Sequence, residues 1–256
     1  MSYCILFRDY EASKAVEKRL RECIRDDFDE VKPDIVIACG GDGTIIRAVH
    51  TYPNALIFGL NAGHLGYYCK YRLEDIDLLI DDINNKTYKE EEIPLLGTRL
   101  YNNDELLLDE ISINEAVILS PLKALYLDVL IDDEYLESFK GNGLCFSTAY
   151  GSTGFNRSLR GSLVDRELNI IQMTEMAGVN STAYNCLSSS LIISGRRKIT
   201  LKPLYQTPFY ISADNIQSEF NEATRMEIVY TNKHIRIAYH TEEGFIKRLN
   251  RAFIRD

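Results

Sequence analysis

No apolar run in this 256-residue sequence approaches the roughly 18–20 residues that a membrane-crossing helix requires. Basic residues are in the minority, 29 Lys and Arg against 38 Asp and Glu, for a formal charge of -9. A protein that tracks a nucleic-acid backbone wants a basic stripe, so this balance argues against that class. It still leaves room for a small anionic ligand held by a local loop. Both common phosphate fingerprints, G-x-x-x-x-G-K-[ST] and G-x-G-x-x-G, are missing. So is the G-x-S-x-G serine elbow, because Tyr150 occupies its first glycine position around Ser152. The six cysteines form no CxxC pair, and His50, His64, His234 and His240 have no metal-ligand spacing. Both read as structural, the cysteines as buried reduced thiols. The first residues, Met1 to Asp9, carry neither a basic leader nor a small-residue cleavage site. A cytoplasmic protein with no membrane and no nucleic-acid partner is expected. There is no long linker, low-complexity segment or repeat.

What is present centres on Cys39-Gly40-Gly41-Asp42-Gly43-Thr44. The apolar run Ile35-Val36-Ile37-Ala38 precedes it, and Ile45-Ile46-Arg47-Ala48-Val49 follows as the opening of a helix. A strand feeding a glycine-rich turn into a helix makes a phosphate seat: glycines let the backbone approach an anion, and a helix start offers N–H groups and a positive dipole end. Gly40, Gly41, Gly43 and Thr44 are the candidate phosphate contacts. Asp42 is the odd member. A carboxylate there either bonds local backbone as a turn residue or has a task, such as holding a metal ion or taking a proton from an attacking hydroxyl.

In chain order, residues 3–8 read as a strand, 11–25 as an amphipathic helix, and 44–51 as the helix after the glycine loop. The run 55–60 is a further strand, Asn61 to Tyr68 a second glycine-bearing loop, and 73–84 another helix. Strands alternating with helices predict a parallel α/β sheet, whose ligands sit at the carboxyl ends of the strands. Beyond Pro94 the texture changes to successive strands, including a single run over 111–119 and a hairpin about Asp132-Asp133-Glu134. The expected division is an α/β phosphate-binding domain over 1–93 plus 234–256 and an all-β, sandwich-like domain over 94–233. The segment 245–254 is an amphipathic piece that either docks on the first domain or lies on a membrane surface.

Two more clusters can carry chemistry. Asn114-Glu115 lies in an apolar run; alternation leaves Asn114 harmlessly outward, or the pair serves a purine edge and ribose hydroxyls. Lys140 to Ser158 is dense in glycine and hydroxyls, and reads either as a β-rich loop region or as a nucleotide-binding loop.

Together these residues resemble the NAD kinase family, in its short bacterial form, over nearly the whole chain. The resemblance rests on Gly40 to Thr44, Asn61 to Tyr68, Asn114-Glu115, Gly141 to Ser158, and Met173 to Asn180. The first of these alone is shared with lipid kinases and phosphofructokinases. The resemblance implies phosphoryl transfer from ATP, or polyphosphate, to the adenosine ribose 2′-hydroxyl of NAD, with a divalent metal such as Mg2+. It implies Asp42 as general base, and Gly43, Tyr67 and Tyr68 as dinucleotide contacts. Asn114 and Glu115 take the adenosine side, and Lys140, Asn142, Thr153, Gly154, Phe155, Asn156, Arg157 and Ser158 the second-domain loop. Ala177 and Val179 are offered across a subunit interface, implying a homodimer or homotetramer. The sequence departs from the family at Gly141-Asn142-Gly143 for G-D-G and at Ser147-Thr148-Ala149-Tyr150-Gly151 for S-T-P-x-G. It departs again at Thr153-Gly154-Phe155 for Thr-Ala-Tyr and at Asp214-Asn215 for Asp-His. These changes keep a weakened, dinucleotide-sensing homologue as the alternative, with a lipid kinase behind it.

Overall fold

The computed structural model describes residues 1–8, 14–61, 66–180, 185–241 and 243–254. The chain divides into two compact units, Met1–Ile93 with His234–Asp256, and Pro94–Lys233.

The first unit runs β1 (Ser2–Phe7), α1 (Lys14–Cys23), β2 (Asp27–Phe28), β3 (Ile35–Gly40), α2 (Asp42–Thr51), β4 (Leu56–Asn61), β5 (Tyr71–Arg72) and α3 (Ile76–Asn85), and β6 (Lys89–Asn102) leaves it. β1, β3 and β4 pair in parallel, with Phe7 opposite Cys39 and Gly40 opposite Asn61. The carboxyl ends of β3 and β4 are therefore neighbours. All six residues of β3 are buried, as expected of a parallel strand covered on both faces, and this is why its sequence shows no polar alternation. α2 begins at Asp42, two residues earlier than its apolar spacing suggests, with Gly41 as N-cap. Of the helix expected over 11–25, Lys14–Cys23 is observed, and 11–13 lie outside the described residues. The helix expected from residue 73 opens as a 3₁₀ turn, Leu73–Asp75, because the Asp75 carboxylate accepts the Arg72 N–H at 2.9 Å. Leu20, Ile35, Ile37, Phe58, Leu79 and Ile83 form the core, each worth about 1.5–3 kcal/mol of burial.

The second unit is built from β7 (Glu105–Ser112), β8 (Glu115–Leu119), β9 (Leu125–Ile131), β10 (Glu134–Gly141), β11 (Gly143–Ser147), the short α4 (Phe155–Ser158), β12 (Ile170–Met176), β13 (Leu191–Ser194), β14 (Ile199–Pro203), β15 (Phe209–Ala213) and β16 (Ile216–Phe220). One antiparallel sheet has the order β13-β12-β11-β8-β15-β16. Apolar residues of that sheet, such as Ile118, Phe146 and Ile211, share a core with Val129, Phe139 and Leu201 of β9, β10 and β14. The β9–β10 hairpin turns on Asp132 and Asp133, both at positive φ (50° and 67°), the two-residue geometry that matches strand twist.

β17 (Arg225–Tyr239) pairs antiparallel with β14 at its start. At its end, Arg236–Ala238 lie parallel to Leu56–Phe58 of β4, completing the first unit's sheet. α5 (Phe245–Phe253) follows and docks on the first unit through Arg248 and Phe253, the outcome its amphipathic pattern favoured over a membrane surface. Among the described residues, no helix is long and apolar enough to cross a membrane.

Candidate active site

In the first unit the glycine loop leaves β3 and turns directly into α2. Gly40 is required by crowding, since a Cβ there would lie 2.2 Å from Thr44 Oγ1. Gly41 and Gly43 are different. A Cβ at either would meet no described atom within 4 Å, and neither has positive φ. The fold itself asks for no glycine at these two positions; what their missing side chains leave is open backbone. The N–H groups of Asp42 and Gly43 begin the helix, where the helix has no carbonyl to accept them.

Asp42 is half-buried and firmly oriented. Its Oδ2 accepts the Tyr67 N–H at 2.8 Å and its Oδ1 accepts the Tyr68 N–H at 2.9 Å. Gly66 permits the approach, because a Cβ there would stand 2.8 Å from Asp42 Oδ1. The carboxylate thus bonds backbone, as its turn reading holds, but backbone some 25 residues away rather than its own turn. A carboxylate has about four acceptor sites and these bonds use two, so Asp42 keeps capacity for a ligand proton. Tyr67 and Tyr68 meet Asp42 through their peptide groups. Tyr68 is buried, and the Tyr67 ring lies 5.9 Å from that of Phe253. His64 lies outside the described residues.

Two thiols sit behind the loop. Burial pushes Cys39 up to about 12 and Cys69 higher still, the latter helped by the Asp42 carboxylate. Both stay protonated at neutral pH, so neither is a nucleophile. A cavity of about 690 Å³ opens on the same unit, lined by Asn61, Gly66, Lys70, Arg72, Lys247 and Arg251 among others. Its wall carries five cations and three carboxylates, Glu74, Asp75 and Glu243.

In the second unit, Asn114 and Glu115 do not lie in one continuous strand. The run expected over 111–119 breaks between β7 and β8, and the cause is Asp214. Its carboxylate accepts the N–H groups of Ile113, Asn114 and Glu115 at 2.8, 2.8 and 3.3 Å, gathering three donors that a straight strand would spread along both edges. Thr148 fastens the other side, its N–H donating to the Asn114 carbonyl and its hydroxyl to the Ile113 carbonyl. Gly151 is needed there, since a Cβ would lie 2.2 Å from the Asn114 oxygen. The corner and the 147–155 loop, separate in sequence, are therefore one group. Glu115 Oε2 is buried with no hydrogen-bond partner among the described residues, and a Cβ on Gly154 would be 3.7 Å from it. Burial, with the Asp214 carboxylate second, pushes the Glu115 carboxyl up to about 8. At neutral pH it is largely protonated and can donate a hydrogen bond.

Of the remaining loop residues, Thr153 donates to the Tyr150 carbonyl, and Gly154, Phe155, Arg157 and Ser158 are exposed. Asn156 is fully buried; its Oδ1 accepts from the Thr174 hydroxyl at 2.8 Å, while its Nδ2 has no hydrogen-bond partner among the described residues. Lys140 and Asn142 belong to a different group. The Lys140 carbonyl accepts the Val179 N–H at 2.7 Å, and the Asn142 N–H reaches the Met176 carbonyl, which brings exposed Ala177 and Val179 beside them. This second group lies at the opposite end of β11 from Glu115, because Gly143 pairs with Leu119 and Ser147 with Glu115. Five strand residues separate the two, roughly 13 Å. The Asn142 amide donates to the Ser120 carbonyl at 3.1 Å, a bond the family's aspartate has no donor to make. The sequence reading did not single out Gly66, Thr148 or Arg248. Asp214 stood out only as half of a changed pair. The signals were faint: a glycine in an already glycine-bearing loop, and polar residues whose partners lie 35 to 181 positions away.

Comparison with known proteins gives one answer. The family description "ATP-NAD kinase N-terminal domain" matches residues 6–88, and "ATP-NAD kinase C-terminal domain" matches 108–239. The chain is 31% identical to the NAD kinase of Lactobacillus gasseri, covering 99% of this chain and 98% of that one. It is 30% identical to NAD kinase 1 of Bacillus cereus over the full length of both. Among solved structures, yeast NADH kinase complexed with NADH superposes with a TM-score of 0.85 at 17% identity, covering 100% of this chain and 89% of that one. The NAD kinase from Archaeoglobus fulgidus in complex with ATP gives 0.77 at 20%, covering 99% and 97%. At these identities the two structures speak for the fold.

Proposed function

This chain belongs to the NAD kinase family and is a phosphotransferase acting on NAD, and we propose that Asp42 accepts the proton of the adenosine ribose 2′-hydroxyl as it attacks the terminal phosphoryl of ATP or polyphosphate. One observation carries this assignment. A carboxylate held by two N–H groups stands at the start of α2, between glycines whose missing side chains the fold does not need. As the ribose O–P bond forms, the bond from phosphorus to the leaving phosphate oxygen breaks and the hydroxyl proton passes to Asp42. A hydroxyl is a weak nucleophile, and phosphoryl transfer depends on alignment and charge neutralisation more than on covalent help. The N–H groups of Asp42 and Gly43 at the open start of α2 supply donors for phosphate oxygens, whereas that of Thr44 is taken by the Gly41 carbonyl at 2.9 Å. Among the described residues no group of three or more His, Cys, Asp or Glu side chains stands ready for a metal. A divalent metal such as Mg2+, which keeps water and phosphate ligands, would be carried on the donor's phosphates and would offset their charge.

We assign adenosine-side contacts to Asn114, Glu115, Thr153, Gly154, Phe155, Arg157 and Ser158. Lys140, Asn142, Ala177 and Val179 serve the site of a neighbouring subunit, a reading supported by their position at the far end of β11.

The test is Asp42→Asn, with NADP formation coupled to an NADP-specific dehydrogenase and NAD binding followed by calorimetry. Turnover is expected to fall roughly a hundredfold or more, with NAD still bound. Wild-type turnover in this variant rules Asp42 out as the proton acceptor.

A further inference from the structure

Arg248 is the buried charge of α5, only 5% exposed. Its Nη1 donates to the Tyr67 carbonyl at 2.6 Å, and Nη2 donates to the Glu243 carbonyl at 3.3 Å. Its Nε stands 3.7 Å from the Glu243 carboxylate, which Arg251 also engages at 2.9 Å. The Tyr67 carbonyl is the other end of the peptide unit whose N–H, that of Tyr68, donates to Asp42 Oδ1 at 2.9 Å. A trans peptide points its C=O and N–H in opposite directions. The guanidinium thus pulls on one end of the same dipole that holds the carboxylate at the other.

We propose that Arg248 is a positioning residue for the phosphoryl transfer, acting on Asp42 through the Tyr67–Tyr68 peptide. Hydrogen bonds in series polarise one another, so a cation at the carbonyl strengthens the N–H donor at the carboxylate. The arrangement is an ion pair relayed by one peptide group. A direct Arg–Asp contact would occupy acceptor sites that Asp42 needs for the substrate proton. The relay acts on the carboxylate through its Oδ1 alone and takes no further acceptor site from it. Arg248 also fixes the Tyr67 carbonyl in space, which sets the peptide plane and with it the direction of the N–H. A lysine at this position reaches the carbonyl with a point charge but lacks the planar fork that spans Tyr67 and Glu243 together.

This inference rests on the reading of Asp42 as proton acceptor, and the experiment separates the two. Arg248→Met and Arg248→Lys are assayed for NADP formation alone and in the Asp42→Asn background, with thermal melting recorded for each. Arg248→Met is expected to lower kcat on the order of tenfold while KM for NAD stays within about twofold. Arg248→Lys recovers part of the loss, and millimolar guanidinium ion restores turnover to Arg248→Met but not to Asp42→Asn. In the Asp42→Asn background the Met substitution adds little, because the group it serves is already gone. If Arg248→Met keeps wild-type kcat, or its loss simply multiplies that of Asp42→Asn, the relay is overturned. A loss that tracks falling melting temperature and is not rescued by guanidinium overturns it as well, in favour of a purely structural arginine. Failure of the Asp42 reading shows separately, as full activity in Asp42→Asn alone.

Discussion

Glycines in the first unit separate into two kinds, and substitution distinguishes them. At Gly66 an added methyl group lies 2.8 Å from Asp42 Oδ1 and 3.4 Å from Cys69 Sγ, so the carboxylate or the 66–68 backbone must move. Gly66→Ala is expected to cost about 1–3 kcal/mol in stability. It also lowers turnover at least tenfold, because the bonds from Tyr67 and Tyr68 cannot both survive the shift. At Gly43 the same methyl group meets nothing described, and the residue sits in the first turn of α2. Gly43→Ala is expected to melt at the wild-type temperature or slightly above it, since alanine is the better helix residue by up to about 1 kcal/mol. It nevertheless weakens NAD binding, by blocking the approach of phosphate to the backbone. Melting curves and calorimetric titration of the two variants check this opposition of stability and binding. A Gly43→Ala protein that binds NAD normally removes the open-backbone argument.

The corner between β7 and β8 is where one element's geometry becomes a pH dependence. Glu115 is held there beside Asp214, and its carboxyl is raised from the usual carboxylate range to about 8. A raised carboxyl binds its proton more tightly folded than unfolded. Its stabilising contribution is complete below the unfolded value and is lost as pH rises toward about 8. Glu115→Gln, neutral at every pH, is therefore expected to gain melting temperature over the parent at pH 8 and to match it near pH 5. Equal differences at both pH values contradict a buried, protonated Glu115. This corner also shows how far the sequence can be read. The parallel α/β unit was legible because the unbroken apolar run of β3 passes through glycines into the helically spaced apolar residues of α2, and the antiparallel unit because its strands follow one another without helical spacing. The break at Ile113-Asn114 was not legible. Its residues keep strand-like composition, and the carboxylate that bends them is 100 positions away, where no local pattern points back. Asp42 was legible as an anomaly, but its two N–H partners were not, since backbone donors leave no mark on side-chain identity.

For the whole molecule, the separation of Glu115 from the Lys140, Asn142, Ala177 and Val179 group leads to an assembly prediction. If the second group serves a neighbour, then Asp42→Asn and Val179→Asp fail in different chains' sites. Co-expressed, the two inactive variants form mixed oligomers in which some sites are intact, and activity is expected to return to a substantial fraction of wild type. No recovery in a verified mixed oligomer places Val179 in its own chain's site. The path of the chain carries one more consequence. β4 receives its parallel neighbour, Arg236–Ala238, only from beyond the whole of Pro94–Lys233. During synthesis the ribosome must emit that entire unit, on the order of ten seconds of elongation, before the partner arrives. Until then Leu56, Ile57 and Phe58 present a bare apolar edge, the kind of surface that nascent chains use to aggregate and that holding chaperones cover. Arg248 emerges later still, so a chain released between Tyr239 and Arg248 has every strand of that sheet yet lacks the guanidinium that holds the Tyr67 carbonyl.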